Sequence, residues 1–227
     1  MIETIHWHTL HPRYLSPESA VLDLGANHGQ FAQAIADRFG CHCVAVEPSP
    51  GPFATIPITP LITKLPAAVG DKSGVMPFNV SSDSVASSLL DVATRTNTID
   101  VSVFSLPDLL DHLGWPRVDL LKVDIEGAEI GMLAACPDEV LGRVAQISIE
   151  FHDFCGITPA EDVCGTLERL HSLGFFSVRM SRVGHQDTWL INRRLLDVGT
   201  LELLYIRHVV RNMKGLRRVL ERQFKRV

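Results

Sequence analysis

The chain has 227 residues, 46% hydrophobic and 21% charged, a composition that excludes a mostly disordered polypeptide and is large enough for one α/β core with additions. No apolar run is long enough to span a bilayer. The formal charge of −5 is uneven: from Arg207 onward eight basic residues face one acid, a tail of +7 on a remainder of −12, and an acidic body argues against tracking a nucleic-acid backbone.

The first residues lack the basic flank and apolar stretch of a secretory signal, which together with cysteine usage points to the cytoplasm. The five cysteines, Cys41, Cys43, Cys136, Cys155 and Cys164, are odd in number and show no C-x-x-C spacing, so packing in a reducing compartment is expected rather than a disulfide framework or zinc site. His6, His8 and His11 read as a histidine-rich terminal segment, with a metal cluster the lesser reading.

Residues 20–24 form a short apolar run stopped by Gly25, the pattern of a buried parallel strand. A helix is predicted over 28–39, with Phe31, Ile35 and Phe39 at helical spacing and Gly40 as its stop. Residues 42–46 read as the second strand. Five prolines between 48 and 60 exclude a long helix there. A third strand is expected over 65–69, and β-structure flanking the polar stretch 81–88 within 74–103. A short helix comes next over 107–113, then strands at 118–123 and 144–149 and helices at 128–135 and 159–173. Residues 175–180 and 188–192 complete the sheet as a hairpin-like pair. Repeated β-α-β units imply a mainly parallel sheet with helices on both faces.

The first chemical motif is D-L-G-A-N-H-G over residues 23–29, between a strand and a helix, where glycines let a ligand approach the backbone. Glu47 ends the next strand, 24 residues after Asp23, where a carboxylate accepts hydrogen bonds from ribose hydroxyls. A dinucleotide fingerprint starting at Gly25 needs glycine where Asn27 and Gln30 stand, and no G-K-[ST] comes after it for a Walker loop. Asp23 would repel a pyrophosphate but suits a cationic cofactor such as S-adenosylmethionine. The second motif, V-D-L-L-K-V-D-I-E-G-A-E over 118–129, sets Asp124 and Glu126 at the end of an apolar strand, where open α/β sheets bind ligands. Favourable acids at a helix N-terminus account for Glu126 and Glu129, and poorly for Asp124.

With these residues the chain resembles the FkbM-type family of S-adenosylmethionine-dependent methyltransferases. The likeness rests on V-L-D-L-G-A-N-H-G at 21–29, A-V-G-D at 68–71, S-S-L at 87–89, L-K-V-D-I-E-G-A-E at 121–129 and I-E-F-H at 149–152. It implies a Rossmann-like class I methyltransferase fold, a seven-stranded mostly parallel sheet with helices on both faces, in an α/β domain over 1–196. It also implies S-adenosyl-L-methionine as cofactor and methylation of hydroxyls on sugars, glycans or natural-product scaffolds. Carried over by position, Asp23, Gly25, Ala26, Asn27 and Gly29 would form the methionine and ribose turn, and Glu47 the ribose clamp. Asp71 would lie near the adenine amino group, and Ser88 would help close the site.

In-line methyl transfer to an alcohol requires alignment of the oxygen and removal of its proton. Asp124, Glu150 and His152 are the candidates on the acceptor side. Two-residue spacing directs Glu150 and His152 the same way, and His152 is the better base by intrinsic pKa. The same three residues, joined by Asp153, could instead hold a divalent cation. Competing readings are N-methylation, against which the absence of N-P-P-[YF] and the acidic body speak, and a binding module that has lost catalysis. Finally, Ile206, Val209, Met213, Leu216, Leu220 and Phe224 form an apolar stripe within 197–227, beside a basic face. Packing on the domain or on a second subunit as a homodimer, docking on a membrane surface, and contact with an acidic partner or acceptor are its three readings.

Overall fold

The structure, a computed structural model, describes residues 1–80 and 98–213. Ser88, the S-S-L motif and the C-terminal stretch from 214 lie outside the described residues.

Apolar β-branched runs too short for helices build the central sheet. Its strands are β3 (Ala20–Leu24), β4 (His42–Val46), β5 (Ile62–Leu65), β9 (Leu120–Val123), β10 (Gln146–Ile149), β11 (Phe175–Arg179) and β12 (Thr188–Asn192). They lie in the order β11-β12-β10-β9-β3-β4-β5. The pairs among β5, β4, β3, β9 and β10 are parallel, and β12 runs antiparallel to both neighbours. The chain builds outward from β3 through β4 to β5, then returns to place β9 on the other side of β3. That reversal opens a crevice at the carboxyl ends of β3 and β9, where sheets of this kind bind ligands.

Side-chain alternation gives the sheet two buried faces. Leu22, Leu24, Val44, Val46, Leu121 and Val123 face the helices α3 (Leu106–Leu113), α4 (Glu129–Ala135) and α6 (Ala160–Ser172). Val21, Cys43, Ala45 and Leu120 face α1 (Gln30–Phe39), which buries Phe31, Ala32, Ile35 and Ala36. Gly29 and Gly40 bound α1 with φ of 74° and 67°, left-handed values that favour glycine. Cys41, Cys43 and Cys136 are buried, whereas Cys155 and Cys164 are exposed.

One expectation is corrected. The single third strand over 65–69 is two strands: Pro66 separates β5 from β6 (Ala68–Gly70), which leaves the main sheet. β6 joins β7 (Gly74–Asn79) and β8 (Thr98–Ser105) in a small sheet, with β8 in the middle. As expected, the proline-rich stretch holds no long helix: α2 (Pro50–Thr55) is six residues long, with proline in its first turn where the missing N–H is harmless. A further short helix, α5 (Asp138–Leu141), precedes β10.

The N-terminal segment is a hairpin, β1 (Glu3–Ile5) with β2 (His8–Leu10), laid against the sheet. Asp187 accepts from Thr9 N at 3.1 Å and Thr9 Oγ1 at 2.7 Å, and Gln146 Oε1 accepts from His11 N at 2.8 Å. Its two-residue tip, His6 and Trp7, has φ of 42° and 69°, a turn that normally uses asparagine and glycine. At the other end, α7 (Thr200–Tyr205) continues through a π-helical turn, Ile206–Val210. Leu203, Ile206 and Val210 pack with Ile2, Trp189 and Ile191, while Val209 and Met213, expected on the same apolar stripe as Ile206, are exposed. The π turn adds a residue per turn and shifts the register of the helix beyond it.

Candidate active site

The turn after β3 is shaped by backbone proximity. Gly25 and Ala26 both donate their N–H to Val46 O at 3.0 Å, tying the turn to β4. Gly25 has φ 72°, and a Cβ there would lie 1.8 Å from the carbonyl oxygen of Asp124. The glycine is therefore required both by conformation and by the approach of the loop after β9. Asn27 has φ 50°, which turns its N–H onto Glu47 Oε2 at 2.8 Å. Glu47 Oε1 accepts from Ser49 N at 2.7 Å, so one carboxylate joins the β3–α1 and β4–α2 turns.

These loops frame an open cleft of about 580 Å³. Gly25, Asn27, Glu47, Pro48 and Ser49 line one side, and Asp124, Ile125 and Glu126 another. Val46, Ala67, Ala68, Val69 and Phe78 make an apolar slot between them. Of the cofactor residues expected from the sequence, Gly25, Asn27 and Glu47 line the cleft. Ala26 is buried beneath the turn, and Gly29 sits under Ile56, 2.9 Å from its Cγ2 to a Cβ placed on the glycine. Asp71 is exposed beside Gly131 of α4 and is not part of the lining; the strand that should deliver it has moved into the small sheet.

Asp23 also takes a different place. It is the register partner of Lys122 on the neighbouring strand, and the fully buried Asp23 Oδ1 lies 3.1 Å from Lys122 Nζ. The ammonium also donates to Gly25 O at 2.6 Å and Leu24 O at 3.2 Å. Burial alone would lower the Lys122 pKa, but Asp23 and Asp124 reverse this and hold it above the ordinary value. Asp23 thus neutralises a lysine that clamps the cofactor turn from beneath, rather than presenting its charge to the cleft.

Asp124 stands at the centre of the polar side. Its Oδ2 is 3.8 Å from both Lys122 Nζ and His8 Nε2, and its Oδ1 is 3.9 Å from His152 Nε2. Burial pushes its pKa up, yet Lys122, His8 and His152 outweigh this and leave it well below the carboxylate range. Glu150 lies on the His8 side: His8, Asp124 and Glu150 bring ligand-type atoms within 4.8 Å of one another. Burial and the Asp124 charge push the Glu150 pKa up to about 7.

The strand alternation expected to direct Glu150 and His152 the same way does not extend to His152. β10 ends at Ile149, and His152 sits in a 3-10 turn, where strand alternation no longer applies. Its Nε2 is 3.3 Å from Glu126 Oε2 and its Nδ1 3.0 Å from Glu129 Oε1. Burial would lower its pKa, but these two carboxylates raise it to about 11, so at neutral pH the ring is an imidazolium with no lone pair to take a proton. Asp153 does not join the group: it accepts from His185 N at 2.8 Å and His185 Nδ1 at 2.7 Å.

Two residues of the site escape the sequence reading. His8 is 3% exposed, its Nδ1 3.3 Å from Ser148 Oγ, and it arrives from a segment 140 residues away. Glu129 is no surface cap: it is fully buried, and its Oε1 accepts from the N–H groups of Ile125 and Gly127 at 3.1 and 3.0 Å. Glycine at 127 with φ 103° and Glu126 at φ 54° permit that loop. The E-x-x-E spacing is the available signal, since a carboxylate at the first helical position can accept the preceding N–H groups.

The sequence model of the methyltransferase FkbM domain matches residues 23–175, more than half of the chain. The chain belongs to the FkbM methyltransferase family. Among its curated relatives, the 31-O-demethyl-FK506 methyltransferase FkbM of Streptomyces tacrolimicus is 28% identical over 178 residues, covering 63% of this chain and 68% of that protein. The AMB antimetabolite synthetase AmbE of Pseudomonas aeruginosa is 35% identical over 65 residues, 29% of this chain and 3% of that protein. Solved structures of similar fold include a precorrin-6y C5,15-methyltransferase of Geobacter metallireducens GS-15 (12% identity, TM-score 0.41, covering 78% of this chain and 80% of that one). Another is TrmK of M. capricolum in complex with S-adenosyl-homocysteine (11% identity, TM-score 0.43, covering 93% and 87%).

As an FkbM-family protein the chain is an S-adenosylmethionine-dependent methyltransferase. The cleft suits that cofactor on its own chemistry. The apolar side chains of the slot and the Glu47 carboxylate belong to one lining. Asn27 Oδ1 is buried and has no hydrogen-bond partner among the described residues.

Proposed function

We propose that this FkbM-family enzyme methylates a hydroxyl oxygen of a sugar, glycan or natural-product acceptor, with Glu150 as the general base. The observation that carries this reading is the Glu150 carboxyl beside Asp124, its pKa raised to about 7 by burial and by the Asp124 charge. Half ionised at neutral pH, such a group is a competent base for a hydroxyl, and general bases contribute about 10²–10⁴-fold to rate. The name of the Streptomyces tacrolimicus relative, an O-demethyl substrate methyltransferase, supports the same class of acceptor.

S-adenosylmethionine, when bound, supplies a methyl group made electrophilic by a positively charged sulfur. The chain's own residues do the rest. Glu47 and Asn27 hold the ribose side, and Lys122 fixes the turn that carries Asn27. Glu150 accepts the proton of the acceptor hydroxyl as its oxygen becomes nucleophilic. Asp124 remains ionised and accepts a hydrogen bond from a second acceptor group. His152, an imidazolium braced by Glu126 and Glu129, is a positioning residue rather than the base.

A divalent cation could be held by His8, Asp124 and Glu150, or by Asp124, Glu126 and His152. The base reading is favoured because Lys122 and His152 already bring positive charge within 4 Å of Asp124. Methyl transfer from labelled S-adenosylmethionine to hydroxylated and amine acceptors, with and without chelator, tests the proposal. Product on a hydroxyl with chelator present is expected. Transfer only to amines, or activity lost to chelator and restored by magnesium, would overturn it.

A further inference from the structure

The helix from Thr200 onward is apolar on two sides. Leu203, Ile206 and Val210 are buried against the core. Leu201, Tyr205, Val209 and Met213 point elsewhere, exposed at 83%, 49%, 38% and 63%. Their spacing is four residues throughout, which lays them in one slowly turning stripe along a helix. Val209 and Met213 are the side chains that the π turn leaves outside the core.

Another side of the helix carries positive charge, since Arg207 and Arg211 each stand two residues from Val209. Arg207 is exposed and stands over the Phe176 ring at 5.7 Å. The turn that carries Arg207 packs against β11, which carries Phe176 and Arg179, and after burial the charges of Arg179 and Arg207 lower the pKa of Arg211. Among the described residues, none of the three is paired with a carboxylate. Everything before Arg207 carries −12.

We propose that this helix docks the enzyme on an anionic membrane surface, the apolar stripe entering the boundary between headgroups and acyl chains and the arginines binding lipid phosphates. An exposed apolar stripe flanked by basic residues is the pattern of a helix that lies in the membrane interface. No helix of the described residues is long and apolar enough to cross a membrane, so the contact is peripheral. Charge decides between this occupant and a second copy of the chain. A two-fold dimer sets a patch against its own copy, so Arg179, Arg207 and Arg211 would face the same charges again. An anionic bilayer meets them with the opposite sign and repels the acidic body, which fixes the orientation of the enzyme.

Flotation of the full chain with vesicles tests this, using phosphatidylcholine alone and phosphatidylcholine mixed with phosphatidylglycerol. Binding is expected to the mixed vesicles, with little to the zwitterionic ones, and to fall as salt is raised. Arg207→Gln with Arg211→Gln is expected to weaken it at least about tenfold. Val209→Asp with Met213→Asp should abolish it, while affinity for S-adenosylhomocysteine stays at the wild-type value and reports an intact fold. The proposal is overturned by absence of binding to mixed vesicles at physiological salt, or by binding indifferent to both double variants. A lipid-free, concentration-dependent dimer that the Val209→Asp, Met213→Asp protein fails to form would assign the stripe to a second copy instead.

Discussion

Glu129 lies fully buried against His152, its Oε1 3.0 Å from the imidazole Nδ1, while the same oxygen accepts two backbone N–H groups of the loop after β9. One carboxylate therefore shapes the loop that lines the cleft and keeps a neighbouring ring charged.

This pairing has a pH signature. His152 is raised from 6.5 to about 11 in the folded state, so its contribution is complete below the unfolded pKa and is lost as pH rises through the folded one. Melting temperature should fall between about pH 7 and pH 10. Glu129→Gln keeps the shape but removes the charge, and should cost about 1–3 kcal/mol near neutrality while flattening that slope. An unchanged slope in the variant would show that Glu129 does not hold the ring protonated.

Glu150 carries the opposite relation between stability and activity. Its pKa rises from 4.5 to about 7 on folding, so the folded state loses stability as pH climbs through that window and bears the full cost above it. Glu150→Gln should be the more stable protein at alkaline pH, by about 1–2 kcal/mol once solvent screening is allowed for. The same variant should lose about 10²–10⁴ in kcat with cofactor affinity retained. The wild-type kcat/KM should rise with pH to a plateau, its midpoint near 7. Wild-type turnover in Glu150→Gln would remove the base from the mechanism.

Glu47 anchors two turns and faces the cleft, so its loss should register in binding before turnover. Glu47→Ala leaves the N–H groups of Asn27 and Ser49 without their acceptor. Calorimetric titration with S-adenosylhomocysteine should show affinity weakened about tenfold or more, the value of one hydrogen bond to a charged group. Equal affinity in the two proteins would contradict the ribose role.

Gly25→Ala should be among the most damaging single substitutions in the chain. The new Cβ would meet the Asp124 carbonyl oxygen at 1.8 Å, at a backbone φ of 72°. A loss of about 3 kcal/mol or more, with cofactor binding abolished, is expected in chemical denaturation and calorimetry. Gly51→Ala is the control: a Cβ there meets nothing within 4 Å, and stability should hardly change.

The parts of this site that are legible in sequence are the local ones. Gly25, Asn27 and Glu47 occupy a strand-turn-helix-strand unit whose spacing is dictated by the unit itself, and all three line the cleft. The sheet is legible for the same reason, because apolar runs and glycine stops act within a few residues. The departures involve partners distant in the chain or the end of a regular element. Spacing alone sets Asp23 toward a ligand, but its cross-strand neighbour Lys122 claims it. Strand alternation sets Glu150 and His152 on one side, but that alternation ceases after Ile149. Asp71 goes with Val69 out of the main sheet because Pro66 interrupts the third strand. His8 carries no local signal at all, since its place is set by a hairpin folding onto β10 and β12.

The close passage of Gly25 past Asp124 has a consequence for communication between the two substrates. The turn after β3, proposed to hold the cofactor, and the loop after β9 that carries Asp124, proposed to face the acceptor, approach through backbone, with no room for a Cβ between them. Whatever shifts the Asp124 loop when an acceptor arrives must press on the cofactor turn. Affinity for one substrate should then depend on occupancy by the other, by the same factor in both directions.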